Sequence, residues 1–519
     1  MTSLRKELSM NDNHTAAPED VFAAIWQEVL RVDRVGPDDD FFSLGGDSLL
    51  ALKVLGAAQE QGLALTLLDL FRNPTPRGAC AALARSADRA AAGTGDLLSL
   101  LDQARIPDDV DQAYPAARLQ LGLIHESLIS DGAFYLDVVS RTVHRPLEPT
   151  VLRQALDLLS ARHPVLRSRF DLATFSEPMQ LVQRSAPIPL TTDDHRGLDD
   201  TVKTQRYEQI MAELAQPFDP ETAPLVRVHA TTTDARAFTL SYSFHHAILD
   251  GWSEAVFCNE LVRTYAGLLD GQPPEFPDPV PYSEFIRLER EAMRAADSAD
   301  LFRELAGTVP APGHSVPVHR KVSAAVPEAD TRRLEELSAQ WGLPLKSLLL
   351  AANCAAVGAV WNTEAPVVGL LLNGRPERSG SDVTLGLFLN QLPLRLELRD
   401  GDWQDTARRA FEAENRLLAH RRFPHSEVRK LLGGDPYHVM FNYVRFHPRD
   451  ELLAAGLIAA EEDMRDHTSL PVRVELLDDR RGHGLSVHVT ADTARFGEEL
   501  PARLLKALLH DIHELSRPH

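Results

Sequence analysis

Apolar residues in EDVFAAIWQEVL recur every three to four positions (Val21, Phe22, Ile25, Trp26, Val29, Leu30) and predict an amphipathic helix from Glu19 to Leu30. A turn-rich acidic loop, DRVGPDDDFFSLGGD, follows it, and a second helical pattern runs from Ser48 to about Gln61. LTLLDLFRNPTPRGACAALARSAD adds a short helix, a proline-bounded turn and a last helix to about Ala87. The expectation is a small helical bundle over 19–89, preceded by a loose polar tail over 1–18. The Ala- and Gly-rich DRAAAGTGDLLSLLDQARIPDDVDQ reads as a linker, 90–109, with one short amphipathic helix.

From Tyr114 the pattern changes to strands alternating with long helices. FYLDVVSRTV, LVRVHATTT, AFTLSYSF, APVVGLLLN, QLPLRLEL, YHVMFNYVRF, PVRVELLDD and LSVHVTAD are strand-like. Helical periodicity marks Thr150–His163, Thr201–Leu214, Ser253–Leu269, Thr331–Trp341 and Leu345–Val360. Pro-rich GQPPEFPDPVPYSEF separates two stretches, 110–275 and 276–519, so a two-lobed α/β region is expected after the helical unit. No repeat is short enough for a solenoid.

At 519 residues the chain is too long for one core and suggests about three or four units. A formal charge of −21, from 75 acidic and 54 basic residues, argues against binding to nucleic acid. Cys80, Cys258 and Cys354 sit in apolar runs without a CxxC pair, as small hydrophobes of a reducing compartment do. The opening MTSLRKELSMNDNHTAAPED lacks the apolar core of a signal peptide, and no apolar stretch is long and charge-free enough to span a membrane. A cytoplasmic protein acting without a membrane is expected.

Two stretches carry chemistry. In FFSLGGDSLLALKVL, Ser48 follows Gly45, Gly46 and Asp47 and opens a helix, so it is a nucleophile, a plain helix cap or an anchor. The tetrapeptide GDSL also opens a family of esterases, but no apolar strand precedes it to seat a nucleophile, and no DxxH signature stands near the carboxyl end. HELSRPH there misses a zinc-binding HExxH because Arg517 replaces the second histidine, so no metal is expected. The glycines allow a tight turn, and the helix start offers N–H groups and positive potential suited to a phosphodiester. In FTLSYSFHHAILDGWSEAVF, a strand runs into His245 and His246, then a turn with Asp250 and Gly251, then a helix. Successive strand residues face opposite sides, so one histidine faces a cavity and the other the packed interior. Asp250 is also placed to cap the following helix.

DDDFFSLGGDSLLALKVL with LTLLDLFRNPTP resembles the attachment site of peptidyl carrier proteins, which implies 4′-phosphopantetheine esterified to Ser48, with Asp47 beside it. The HHxxxDG stretch resembles the active-site motif of condensation domains of nonribosomal peptide synthetases, in the chloramphenicol-acetyltransferase-like superfamily. YPAARLQLGLIHESL, ARHPVLRSRF, PYSEF, GLFLNQLPLR, NGRPE and MFNYVRF resemble further motifs of that family in the same order, the first departing at AARLQ. The resemblance implies that His246 is catalytic, that Asp250 holds the loop through an ion pair with Arg375, and that His245 and Gly251 shape the turn. Arg118, in the opening motif, is expected to be scaffold.

The reaction so implied is attack of an acceptor α-amine on a donor thioester, with His246 orienting the amine and accepting a proton inside a tunnel between the lobes. The implied partners are donor and acceptor carrier domains, neighbouring synthetase modules and a phosphopantetheinyl transferase. The carrier precedes the condensation region and is the natural donor, and with no adenylation or thioesterase region the chain reads as a piece of a larger assembly line. A heterocyclisation domain would replace the histidines by aspartates, and an epimerisation domain usually reads DGVSWR where this chain has DGWSEA. The same residues also leave room for a catalytically silent docking domain and for a hydrolase using Ser48.

Overall fold

The computed structural model of the chain describes residues 17–86, 97–305, 307–309, 317–399, 402–445, 447–479 and 484–517. Two compact units divide it, one built on the helices before residue 87 and one on most of the chain that follows. The expected tail lies outside the described residues except for its end, where Pro18 already opens the first helix. Of the expected linker, residues 90–96 lie outside them, and a short helix, Leu100–Gln103, stands in the remainder.

The first unit contains helices Pro18–Leu30, Ser48–Glu60, Leu67–Arg72 and Pro76–Ser86. Pro18 at the first turn has no N–H to leave unpaired, and Glu19 and Asp20 sit at the positive helix end. Thr66 and Asp69 form a reciprocal capping box on the third helix. Trp26, Phe41, Phe42 and Phe71 run edge to face through the core, with ring centroids 5.1, 5.4 and 4.9 Å apart in turn. The acidic loop is therefore pinned by its two phenylalanines; Asp40 Oδ1 accepts from Ser43 N at 2.8 Å within the loop, and Asp38 pairs with Arg77 of the fourth helix at 2.5 Å.

The second unit holds strands β1 (Val110–Pro115), β2 (Leu136–Val143), β3 (Ser168–Asp171), β4 (Met179–Gln183), β5 (Leu190–Asp194), β6 (Val226–Thr232) and β7 (Phe238–His245). Its later strands are β8 (His319–Ala325), β9 (Val367–Asn373), β10 (Leu389–Arg395), β11 (Val439–Val444), β12 (Ile458–Arg465), β13 (Val472–Asp479) and β14 (Gly484–Asp492). All eight strand-like stretches of the sequence carry strands. They assemble into sheets of order β1-β4-β3, β12-β2-β7-β6-β5 and β10-β9-β11-β13-β14-β8.

In the first lobe, helix Asp200–Leu214 covers one face of the sheet through Ile210, Met211 and Leu214 against Leu136 and Val138. Helix Gly251–Leu269 covers the other, with Phe257 5.4 Å from the Tyr242 ring of β7. Both faces of β2 and β7 are thus buried, so their polar residues Asp137, Ser140, Arg141, Ser241 and Ser243 are buried with the apolar ones. In the second lobe, helix Leu345–Trp361 is apolar all round and packs with helix Leu500–Ser516 on the six-stranded sheet. The lobes do not divide linearly, because β12, from the second half of the chain, pairs antiparallel with β2 in the first lobe's sheet. No single helix among the described residues is long and apolar enough to cross a membrane.

Candidate active site

Strand β7 delivers the two histidines to the edge of its lobe. His245 is 1% exposed and His246 is half-buried, so the alternation along the strand separates them as expected. The N–H of Ala247 donates to His245 Nδ1 at 3.0 Å. A backbone N–H only donates, so Nδ1 is the lone-pair nitrogen of that ring and Nε2 carries the hydrogen. His246 has the opposite arrangement: its Nδ1 lies 2.7 Å from the carbonyl of Leu249, which only accepts. His246 therefore holds its proton on Nδ1 and keeps a lone pair on Nε2. Burial, with the neighbouring His246 second, pushes His245 down to about 4, so it stays neutral at physiological pH.

Tyr135 shapes the other side of His246. Its carbonyl accepts the His246 N–H at 2.8 Å, and its ring centroid lies 6.5 Å from the imidazole, edge on. The backbone of Tyr135 is left-handed, φ 62°, a conformation that costs a non-glycine residue energy and needs outside support. That support comes from the second half of the chain, where His467 O accepts its N–H at 2.8 Å and Ser469 Oγ meets its hydroxyl at 2.7 Å.

Asp250 performs both of its expected structural roles. Its Oδ1 accepts from Ser253 N at 2.7 Å, capping the helix that Gly251 opens. The same oxygen meets Arg375 Nη2 at 3.2 Å, and Oδ2 accepts from Phe388 N at 3.0 Å. Arg375 is fully buried; it also donates to Ser253 Oγ (2.7 Å) and to the carbonyls of Ser381 (2.8 Å) and Thr384 (2.5 Å), with its guanidinium 4.0 Å from the Phe388 ring centre. Burial lowers the Arg375 pKa and the Asp250 charge opposes that shift.

The remaining motifs brace this turn. Gln120, fully buried, donates to the carbonyl of Ala247 at 2.8 Å and to Gln180 Oε1 at 3.0 Å. Sequence reasoning passed over it, although a glutamine in an apolar helix was the available signal. Arg118 offers its backbone N–H to Glu289, at 3.2 Å from each oxygen. Arg162 and His163 of ARHPVLR hold Glu260 of the long helix at 3.0 and 2.7 Å. Gly386 of GLFLNQLPLR accepts from Asp250 N (3.1 Å) and from Ser253 Oγ (2.7 Å), and a Cβ there would fall 2.5 Å from the Tyr282 ring of PYSEF. The segments around Gln120, Arg375 and Gly386 thus converge on one turn, while ARHPVLR braces the middle of the helix that follows it.

Behind the turn lies a buried ionic cluster that the sequence did not reveal. Glu254 meets Arg141 at 3.1 Å and also bonds Arg449 and the Tyr242 hydroxyl; Glu462 of β12 bridges Arg141 (2.7 Å) and Arg449 (2.8 Å). It joins β2, β7, β12 and two helices.

In the first unit, Ser48 is the first residue of its helix, and its side chain lies outside the described part of the structure. Asp47 caps that helix, accepting from Leu50 N at 2.9 Å. Gly45 has φ +91°, and a Cβ on Gly46 would fall 2.4 Å from the Phe41 ring, so both glycines are needed for the approach to Ser48. A helix start of this kind fits a phosphodiester on Ser48. Among the described residues no group of three or more His, Cys, Asp or Glu is placed to hold a metal ion.

A two-lobed α/β unit with a His-His-turn-Asp at the end of a central strand is the chloramphenicol-acetyltransferase-like fold. The condensation domain family matches residues 110–517 and the phosphopantetheine attachment site family matches 20–83; the chain belongs to the condensation domain family and carries a phosphopantetheine attachment site ahead of it. This is the arrangement of a nonribosomal peptide synthetase segment. The chain is 37% identical over 463 residues to the AMB antimetabolite synthetase AmbE of Pseudomonas aeruginosa, covering 85% of this chain and 22% of that one. It is 29% identical over 399 residues to the phosphinothricin tripeptide synthetase PhsB of Streptomyces viridochromogenes, covering 72% of this chain and 32% of that one. The chain therefore spans a third or less of these relatives. Its fold is similar to the first condensation domain of the calcium-dependent antibiotic synthetase in complex with a substrate analogue, with TM-score 0.65 and 21% identity over 78% of this chain and 97% of that one. It is similar also to the condensation domain from the Monacolin K polyketide synthase MokA, with TM-score 0.66 and 15% identity over 79% and 98%.

Proposed function

We propose that the condensation domain joins two carrier-bound units, with His246 as the catalytic residue and Ser48 as the anchor of the donor. The observation that carries this is the His246 tautomer: Leu249 O holds the proton on Nδ1, which leaves Nε2 able to accept one. Bound at Ser48, phosphopantetheine supplies a thioester that is already activated, so the reaction needs no ATP. The acceptor α-amine, with an ordinary pKa of about 7.7–8.0, is about one-tenth neutral at pH 7. Its nitrogen bonds to the thioester carbonyl carbon, the carbon–sulfur pair leaves with sulfur, and His246 Nε2 orients the amine and takes its proton. Asp250 and Arg375 hold the turn, His245 packs beneath it and Gly251 starts the helix.

The same reading sets the domains at 19–89 for the carrier, 90–109 for the linker, and 110–275 and 276–519 for the two lobes, with β12 of the second stretch crossing into the first lobe's sheet. The acceptor is a carrier domain of a neighbouring module, and a phosphopantetheinyl transferase modifies Ser48. The charge of −21 supports a role without nucleic acid, and three free cysteines support a reducing, cytoplasmic setting without a membrane.

The test loads Ser48 with a defined aminoacyl-pantetheine, supplies a downstream acceptor carrier and follows both by mass spectrometry. His246→Ala should lower product formation by about 10²–10⁴-fold while loading of Ser48 is unchanged. Undiminished turnover would sink the catalytic assignment in favour of a silent docking domain, and ester cleavage by protein lacking pantetheine would point to a Ser48 hydrolase.

A further inference from the structure

Strand β2 is buried along both faces, and its alternation sorts its side chains. Leu136 and Val138 pack against helix Asp200–Leu214, so Asp137, Val139 and Arg141 face the other way, where Arg141 meets Glu254. In the antiparallel register with β7, Asp137 stands opposite Phe244 and Val139 opposite Tyr242, and opposed residues share a face. His246 follows Phe244 by two residues and is tied to Tyr135, two before Asp137. Asp137 thus lies on the His246 side of the sheet, at the end where His246 emerges.

Asp137 is 3% exposed, and its Oδ1 has no hydrogen-bond partner among the described residues. Burial raises it to about 6, so at neutral pH it is mostly a carboxylate. Arg473, a cation on that side beside Lys321, is shared with Asp466 and, at 3.1 Å, with Glu475. Arg473 is therefore already engaged by two carboxylates other than Asp137. A buried carboxylate with an open oxygen weakens a fold and calls for a cationic donor from outside it. On the reading of His246 given above, that donor is at hand: an α-amine is mostly ammonium at pH 7.

We propose that Asp137 is a positioning residue for the acceptor, its carboxylate holding the α-ammonium beside His246 Nε2. His246 Nε2 takes one proton from the held ammonium, so that Asp137 faces the imidazolium; the freed amine nitrogen then bonds to the carbonyl carbon, the carbon–sulfur bond breaks, and the second amine proton goes to the departing sulfur. Asp137 itself changes neither its bonds nor its protonation.

The experiment uses the full chain with an acetyl group loaded on Ser48. Two acceptors are compared: glycyl-N-acetylcysteamine thioester, the smallest aminoacyl unit, and its aminooxyacetyl counterpart, whose nucleophile is uncharged at the assay pH. Asp137→Asn should raise KM for the glycyl probe at least tenfold with kcat within threefold, leave KM for the aminooxy probe within threefold, and be partly rescued by Asp137→Glu. An equal effect on both probes, or on neither, overturns the proposal. Thermal melting gives a reading independent of turnover: Asp137→Asn should melt at or above the wild-type temperature, and a lower melting point or failure to fold would assign Asp137 to the scaffold instead. His246→Ala separates the two proposals. If it leaves both acceptors unaffected while the Asp137 pattern holds, the histidine assignment falls and Asp137 stands.

Discussion

At the scale of single residues, the site depends on charges and protons held in one arrangement by their neighbours. Asp250→Asn keeps a side-chain oxygen for Ser253 N but removes the carboxylate that meets buried Arg375 at 3.2 Å. Removing one partner of such a pair costs about 3–5 kcal/mol, which should appear as an earlier midpoint in urea denaturation. An unchanged midpoint would show that the carbonyls of Ser381 and Thr384 suffice for the guanidinium. His245 gives a pH signature. Its folded pKa of about 4 lies below the unfolded value of about 6.5, so between these values the unfolded chain binds the extra proton. Its contribution to stability is complete above pH 6.5 and is lost as pH falls toward 4, by about 3 kcal/mol. His245→Asn, which keeps an acceptor for Ala247 N, should flatten that part of the stability profile relative to wild type. Identical slopes for the two proteins would remove His245 as the cause.

At the scale of elements, the informative one is β12. Its sequence, IAAEEDMR, has neither the alternation nor the apolar content of a strand, so nothing local announces it. What recruits it is the far side of the molecule: Met464 and Asp463 pair with Val139 and Ser140 of β2, and Glu462 closes the ionic cluster around Glu254. Glu254→Leu would leave Arg141 and Arg449 sharing Glu462 as the one remaining carboxylate of the cluster. We expect a loss of about 3–5 kcal/mol in chemical denaturation, together with faster proteolysis of the segment around β12. If β12 stays as protected as in the wild type, the cluster is not what secures it. By contrast β7 and β13 were legible from alternating apolar residues (Phe238, Leu240, Tyr242, Phe244; Val472, Val474, Leu476), and β9 from the near-continuous run VVGLLL.

At the scale of the whole molecule, the chain separates holding a substrate from transforming one. Ser48→Ala should abolish the mass gain of one phosphopantetheine on treatment with coenzyme A and a phosphopantetheinyl transferase, and with it all product formation from the fused carrier. A mass gain that persists would place the attachment elsewhere. The sequence alone determined what short-range chemistry can write: the helix start at Ser48, the His-His-turn-Asp spacing, and the helix and strand periods of both units. Those signals are local, because caps, turns and alternation depend on neighbours a few residues away. The tertiary structure alone decided which nitrogen of each histidine bears the proton, that Gln120 and Tyr135 frame the turn, and that β12 crosses to the first lobe. It alone brought Asp137 onto the face of His246. The tautomers turn on backbone groups two and three residues away that only the folded turn presents. The rest depend on residues a hundred or more positions apart meeting in a low-dielectric interior, where one hydrogen bond or one unpaired charge changes what a group can do, and no sequence period records that meeting.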